Sequence, residues 1–288
     1  MYLSVPSCHS IRQFDQTRQG SAVMRNLFKE LEHAYHITRR PVPVDFRHQA
    51  FFKKEPCEYT YELYAQQSDK NGQPPEYIIN CYDTYPSSKK STALLNKKAL
   101  GLKDATVFSL CDQGSACPIL AVKLACLKKC KTVVICMEEI YSISECWGNE
   151  SYYPKCEAAA LFQVSPEEGE WKVAGLRRQW CDKGVEDVRN LALLLIKDTL
   201  DEAGVSPNQT LIIPQRLNAL YEEYIQSYFP HSYTHNGREN YQTADPFYSL
   251  EQAYTHNVTK KWKYILLNFA DHKTVGCLLL SAAKAESI

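Results

Sequence analysis

No stretch of this sequence reaches the roughly 20 consecutive apolar residues that a bilayer-spanning helix needs, and no charged-then-apolar leader opens it. Net charge is missing as well. Thirty-three basic residues cancel thirty-three acidic ones, so no global field draws the chain to nucleic acid or to an anionic membrane. Metal-ligand spacing is absent in spite of twelve cysteines: Cys111 and Cys117 stand six apart, Cys126 and Cys130 four apart, with no Cys-x-x-Cys and no nearby histidine pair. These absences argue against a membrane span, a nucleic-acid scaffold and structural zinc, and the expectation is a soluble, cytoplasmic chain. Cys126, Cys136 and Cys277 sit in apolar runs, where cysteine reads as a small buried hydrophobe of a reducing compartment.

What is present is an ordinary globular composition. Hydrophobic residues make up 44% and charged residues 23% of 288 residues, which excludes disorder, collagen-like repeats and coiled coil as the main organisation. That length predicts about two units, or one domain of doubled architecture. The first seventy or so residues read as irregular, apart from an amphipathic helix opening at Met24 and broken by Arg39-Arg-Pro-Val-Pro-Val. From Tyr77 the pattern becomes strand and helix in alternation. Tyr77–Cys81, Thr106–Leu110 and Thr132–Met137 read as strands. Ser91–Leu100, stopped by Gly101, and the apolar run through Leu120, Leu124 and Leu127 read as helices. Ala158–Val164 and Trp171–Gly175, joined by a Pro-Glu-Glu-Gly-Glu turn, read as a hairpin. A second series follows: helix Val185–Ala203, strand Thr210–Ile213, helix Leu217–Tyr228, and two strands, Trp262–Phe269 and Val275–Leu280, around Ala270-Asp-His-Lys. Two similar series imply a layered α/β architecture with internal pseudo-duplication.

The segment that carries chemistry is Asp112-Gln-Gly-Ser-Ala-Cys-Pro, between a buried strand and an apolar helix. Backbone N–H groups at a helix start stabilise an anion or a developing oxyanion, and nucleophiles are mounted there. Ser115 reads either as such a nucleophile or as the helix cap, with Pro118 tolerated in the first turn. Cys117, about 200° further round the helix, should point elsewhere, and Cys111 at the strand end should serve packing.

The run from Asp112 through Ala125 resembles the nucleophile segment of the thiolase superfamily. The nearest members are the initiating, type III β-ketoacyl-carrier-protein synthases and the chalcone-synthase-like polyketide synthases. Their nucleophilic cysteine lies ten residues before a matching alanine, here Ala125, which lands on Ser115. Further segments resemble the family in order: Ile78 through Leu100-Gly-Leu, Val133 through Glu138, and Cys156-Glu-Ala-Ala-Ala-Leu-Phe. The resemblance spans roughly residues 77 to 282. It implies an α/β, thiolase-like layered α-β-α-β-α fold with two pseudo-duplicated halves. Residues 1–76 would form an atypical N-terminal region, 77–175 the N-terminal half and 176–288 the C-terminal half.

The resemblance also implies what is missing. The family's cysteine takes an acyl group from coenzyme A or a carrier protein, while a histidine and an asparagine stabilise an enolate oxygen. Here the family's "PHQAN" aligns with Pro214-Gln-Arg-Leu-Asn218, so Gln215 replaces the histidine. "GNTSSAS" aligns with Glu239 through Asp245, which keeps the asparagine as Asn240. A serine hydroxyl needs a base that a carboxamide cannot supply, so condensation through a cysteinyl thioester is not available. Gln215 can still donate to an oxyanion. The glycine-rich "GFGAG" turn aligns with Asn268 through His272. His272 would there plug the pocket or aim an imidazole at Ser115, with Asp271 placed to orient it. His231 and His235 are further candidates, and Gly114, Asn218 and Asp271 would line the acyl and oxyanion pocket.

The function expected from this set is a degenerate, non-condensing subunit of acyl or polyketide-type biosynthesis. It would support an active ketosynthase-like partner in a homodimer or heterodimer, help dock an acyl carrier protein, and carry no bound cofactor. One alternative is an acyltransferase that moves an acyl group from acyl-CoA or a phosphopantetheinyl carrier protein to an oxygen or nitrogen acceptor, through Ser115 or directly. Another is a non-catalytic binder of acyl chains or small molecules.

Overall fold

The computed structural model describes residues 1–10, 56–67, 73–82, 92–111, 113–138, 153, 158–181, 185–236 and 239–283. The helix expected from Met24, together with Asp112 and Cys156-Glu157, lies outside them. Strands β1 (Tyr2–Leu3) and β2 (Ser7–Ser10) and helix α1 (Pro56–Gln66) come first. They correct the expectation of an irregular N-terminal region. Then follow β3 (Tyr77–Cys81), α2 (Thr92–Leu100), β4 (Thr106–Leu110), α3 (Cys117–Lys128), β5 (Thr132–Glu138), β6 (Ala158–Ser165) and β7 (Trp171–Trp180). The second series is α4 (Val185–Glu202), β8 (Thr210–Pro214), α5 (Ala219–Tyr228), α6 (Asp245–Thr255), β9 (Tyr264–Ala270) and β10 (Thr274–Ala282). Helix α6 was not expected, although Asp245-Pro246 opens it and Phe247, Leu250 and Ala253 recur every three residues as a helix face would.

The strands run in the order β4-β3-β5-β6-β1-β7-β10-β9-β8, with β2 on β6. A parallel pair followed by an antiparallel neighbour occurs twice, as β3-β5-β6 and as β8-β9-β10. The two half-sheets meet through β1, which pairs antiparallel with both β6 and β7. The expected β6–β7 hairpin is therefore corrected. The chain start inserts between the two strands, a pairing with a partner some 160 residues away that no local turn signal can announce.

Helices α3 and α6 pack against both half-sheets, α1 and α2 against β2, β3, β4 and β6, and α4 against β7, β9 and β10 with α5 beside it. The layers are thus helix, sheet, helix, sheet, helix. Strand alternation explains why so many strand residues are apolar. Val134 and Cys136 face the central core with α3, while Val133 and Ile135 face the outer core with Tyr59 and Leu63. In the second half Leu211, Ile213 and Leu267 face the centre, and Ile212 and Leu266 face the outer core with α4 and α5. Of the three cysteines read as buried, Cys136 and Cys277 are fully so, while Cys126 on α3 is half-buried, which corrects that reading; burial pushes the Cys277 thiol up to about 12.

Candidate functional site

Strand β4 ends at the base of a turn in which Gly114 adopts φ +64°. Nothing larger fits there, because a Cβ at Gly114 would stand 2.4 Å from Thr274 Oγ1 and 2.6 Å from Asp271 Oδ2. Helix α3 then begins, with Ala116 at its cap position offering no side-chain bond and Pro118 in its first turn. Ser115 does not cap this helix. Its N–H donates to Asp271 Oδ2, and the N–H of Ala116 faces Thr274 Oγ1 at 3.4 Å. Both acceptors come from the β9–β10 hairpin, Asp271 from its turn and Thr274 as the first residue of β10. That turn is itself braced, since Asp271 Oδ1 accepts from the N–H groups of Lys273 and Thr274, each at 2.7 Å.

The structure brings Ser115, Gln215 and Asn240 into one chain of hydrogen bonds. Gln215 follows β8, fully buried, and its Oε1 accepts from the N–H of Ala270 at 3.0 Å. This bond fixes the carboxamide so that Nε2 donates to Ser115 Oγ and to Asn240 Oδ1, both at 3.1 Å. Asn240 Oδ1 also accepts from the N–H of Gln242 at 2.8 Å, which fixes the asparagine in turn. Ser115 is 3% exposed and Asn240 4%. Among the described contacts Ser115 Oγ is an acceptor only, and no imidazole or carboxylate takes its proton.

The other candidates fall elsewhere. His272 is exposed on the β9–β10 turn, so that Asp271, and not His272, reaches the residue-115 backbone. His231 is exposed against the Trp262 ring. His235 is buried, 3.1 Å from Asp245 Oδ2 and stacked on Tyr241, and Asp245 also accepts from the N–H groups of Arg216 and Tyr241. This arrangement anchors the segment that carries Asn240. Asn218 caps α5, its Oδ1 accepting from the N–H of Tyr221 at 2.7 Å. Cys117 points into the central core, its thiol 3.1 Å from the Leu110 carbonyl.

Two contributors were not read from the sequence. Arg178 on β7 donates from Nη2 to the Gln113 carbonyl at 2.8 Å and holds the Gly114 turn from outside; burial pulls its guanidinium below the usual range. Gln242 adopts φ +51°, is 2% exposed, and has neither side-chain amide atom hydrogen-bonded among the described residues. A non-glycine residue in the left-handed region is the sole signal of it, and sequence does not display backbone angles. Among the described residues no group of three His, Cys, Asp or Glu is placed to hold a metal ion, and no helix is long and apolar enough to cross a membrane.

No protein-family model matches the sequence, and no curated protein does. Solved structures do match. An acyltransferase, ChlB3, aligns over 98% of this chain and 97% of its own with a TM-score of 0.73 at 12% identity. The 3-oxoacyl-[acyl-carrier-protein] synthase III of Aquifex aeolicus aligns over 81% and 87% with a TM-score of 0.63 at 18% identity. The chain has the thiolase fold. A cysteine-to-serine variant of Xanthomonas campestris OleA, solved with lauric acid and lauroyl-CoA, matches over 98% and 99% with a TM-score of 0.67 at 10% identity. At such identities the likeness to these structures is one of architecture alone.

Proposed function

We propose that this thiolase-fold chain is a non-condensing subunit of acyl or polyketide-type biosynthesis, one that supports a ketosynthase-like partner and carries no acyl group itself. The observation that carries the reading is the closed chain Gln215–Ser115. The serine hydroxyl accepts from a carboxamide that is locked by the Ala270 N–H. A hydroxyl nucleophile must lose its proton to a base in order to attack a thioester, and a fixed amide N–H is a donor. Decarboxylative condensation needs in addition a nucleophile that leaves again as a stable anion, which an alkoxide is not.

A surface suited to partnership lies beside this site. Among the described residues β4 pairs only with β3, and Val107, Phe108 and Leu110 along it are half-buried. An edge strand with apolar side chains and no proline or charge is a template for a strand of another chain. Pairing there would bring the Ser115 turns of two chains near their common interface. The acyl donors of such an assembly would be acyl-CoA or an acyl carrier protein, as the lauroyl-CoA held by the OleA variant suggests for this fold.

Two assays test the reading. The purified chain should release no carbon dioxide from malonyl-CoA, alone or with an acyl-CoA primer. It should run at twice its 33.0 kDa mass or form a mixed dimer with a condensing enzyme of the same fold. Turnover by the chain alone would overturn the proposal.

A second reading, a non-catalytic binder of acyl or small-molecule ligands, is favoured by Gln242. Its carboxamide is buried with both ends unpaired among the described residues; such a group costs about 1–3 kcal/mol, and a ligand presenting a donor beside an acceptor would recover that cost. Thermal stabilisation by acyl-CoA that disappears in Gln242→Gly would support it. Equal shifts in both proteins would remove it.

A further inference from the structure

Loss of the cysteine and the histidine is one way to silence such a site, and the β9–β10 turn provides another. We propose that Asp271 is the built-in occupant of the anion position at the start of α3, and that it bars acyl transfer to residue 115 whichever nucleophile stands there. The inference deepens the non-condensing reading and rests on it.

Acylation at position 115 requires the side-chain heteroatom to bond to a thioester carbonyl carbon while the C=O electron pair moves onto oxygen. The resulting oxyanion then collapses, expelling the donor's thiolate, which takes up the proton the nucleophile has lost. During this step the oxyanion needs N–H donors, and a helix start supplies them. Here the Ser115 N–H is already given to a carboxylate, and the Ala116 N–H faces Thr274 Oγ1. A second anion in the same place would meet Asp271 at close range, and like charges so near cannot both be stabilised.

Asp271 is not free to swing aside. It is 8% exposed, and its other oxygen holds the Lys273 and Thr274 N–H groups. The fit is mutual, since only a residue without a Cβ at position 114 leaves room for Asp271 and Thr274. Thr274 Oγ1 closes the clamp by donating to the Gln113 carbonyl at 3.2 Å. Among the described residues the charged group shown to interact with it is the Arg178 guanidinium, from β7, which also faces Cys117 of α3. Arg178 commits its Nη2 to Gln113 and so braces the turn on the far side.

The test places a thiol reporter at the site. In Ser115→Cys, alkylation of residue 115 by iodoacetamide is followed by mass spectrometry of the peptide that contains it, because other cysteines are present. A neighbouring carboxylate disfavours the thiolate, so this reaction should be slow at neutral pH. Ser115→Cys/Asp271→Asn keeps the shape and the acceptor for the turn while removing the charge. It should react about tenfold faster, with its pH–rate profile displaced to lower pH by about one unit. Identical rates and profiles in the two proteins would overturn the proposal. Should that double variant fail to fold, Ser115→Cys/Asp271→Ser serves as the uncharged comparison: the same gain in rate and the same displacement of the profile relative to Ser115→Cys support the proposal, and no change overturns it. The two readings fail separately. An acyl adduct on the native Ser115 would contradict both. Equal alkylation of the variants, with no adduct on the native chain, would remove the role of Asp271 and leave the non-condensing subunit standing.

Discussion

Helices α3 and α5 solve the same problem in opposite ways. Each begins with backbone N–H groups that have no partner inside the helix. At α5 the cap is local: Asn218 accepts from Tyr221, three residues on. At α3 there is no side-chain cap, and the N–H groups of Ser115 and Ala116, just ahead of the helix, are met by Asp271 and Thr274, 156 and 158 residues away. A local cap stabilises one helix. The distant one ties a helix of the first half to a hairpin of the second and fixes a negative charge beside Ser115. The difference teaches that the groups able to serve an oxyanion have been turned into a structural clamp.

The comparison can be broken at its tightest point first. Gly114→Ala imposes a left-handed backbone on a residue with a Cβ and drives that atom into the clamp, so it should cost about 4 kcal/mol in urea unfolding. A loss below about 1 kcal/mol would show that the turn opens easily. Asp271→Ala removes the acceptor of three N–H groups and should cost about 3 kcal/mol, part of which water recovers. Asn218→Ala removes only a local cap and should cost about 1 kcal/mol. Equal losses at Asp271 and Asn218 would erase the contrast drawn between the two helix starts.

An effect of pH, set apart from these losses, concerns Glu222. Burial raises its carboxyl from 4.5 to about 7, outweighing the Arg216 guanidinium 3.2 Å away. A raised carboxyl pKa means that the folded state holds its proton longer than the unfolded one. The stabilisation is therefore complete below about pH 4.5 and is lost as pH rises through about 7. In Glu222→Gln that loss should vanish, so the difference in melting temperature between variant and native chain should grow across this window. A constant difference would refute the shift.

These contrasts also mark what the sequence discloses. The strands from Tyr77 to Leu280 and helices α2 to α5 follow from apolar runs, period and stop signals that act over a few residues. So does the position of Ser115, through its resemblance to a nucleophile segment. The insertion of Tyr2–Leu3 between β6 and β7 does not, because pairing across most of the chain leaves no local mark. Nor does the contact of Asp271 with Ser115. From the sequence, His272 was the residue to examine, since a histidine where glycine is usual draws the eye. A turn presents neighbouring side chains in different directions, and the structure turns Asp271 inward and His272 out. The bonds that orient Gln215 and Asn240 likewise depend on the N–H groups of Ala270 and Gln242, which are backbone and carry no residue signature.

The most direct test of the account is the intact mass of the native chain after incubation with acyl-CoA and acyl-carrier-protein donors, with Ser115→Ala as control. An unchanged mass is expected across the donor series, in the native protein and the variant alike. An added acyl mass on the native chain that is absent from Ser115→Ala would contradict it, and would make Ser115 a nucleophile in spite of Gln215 and Asp271.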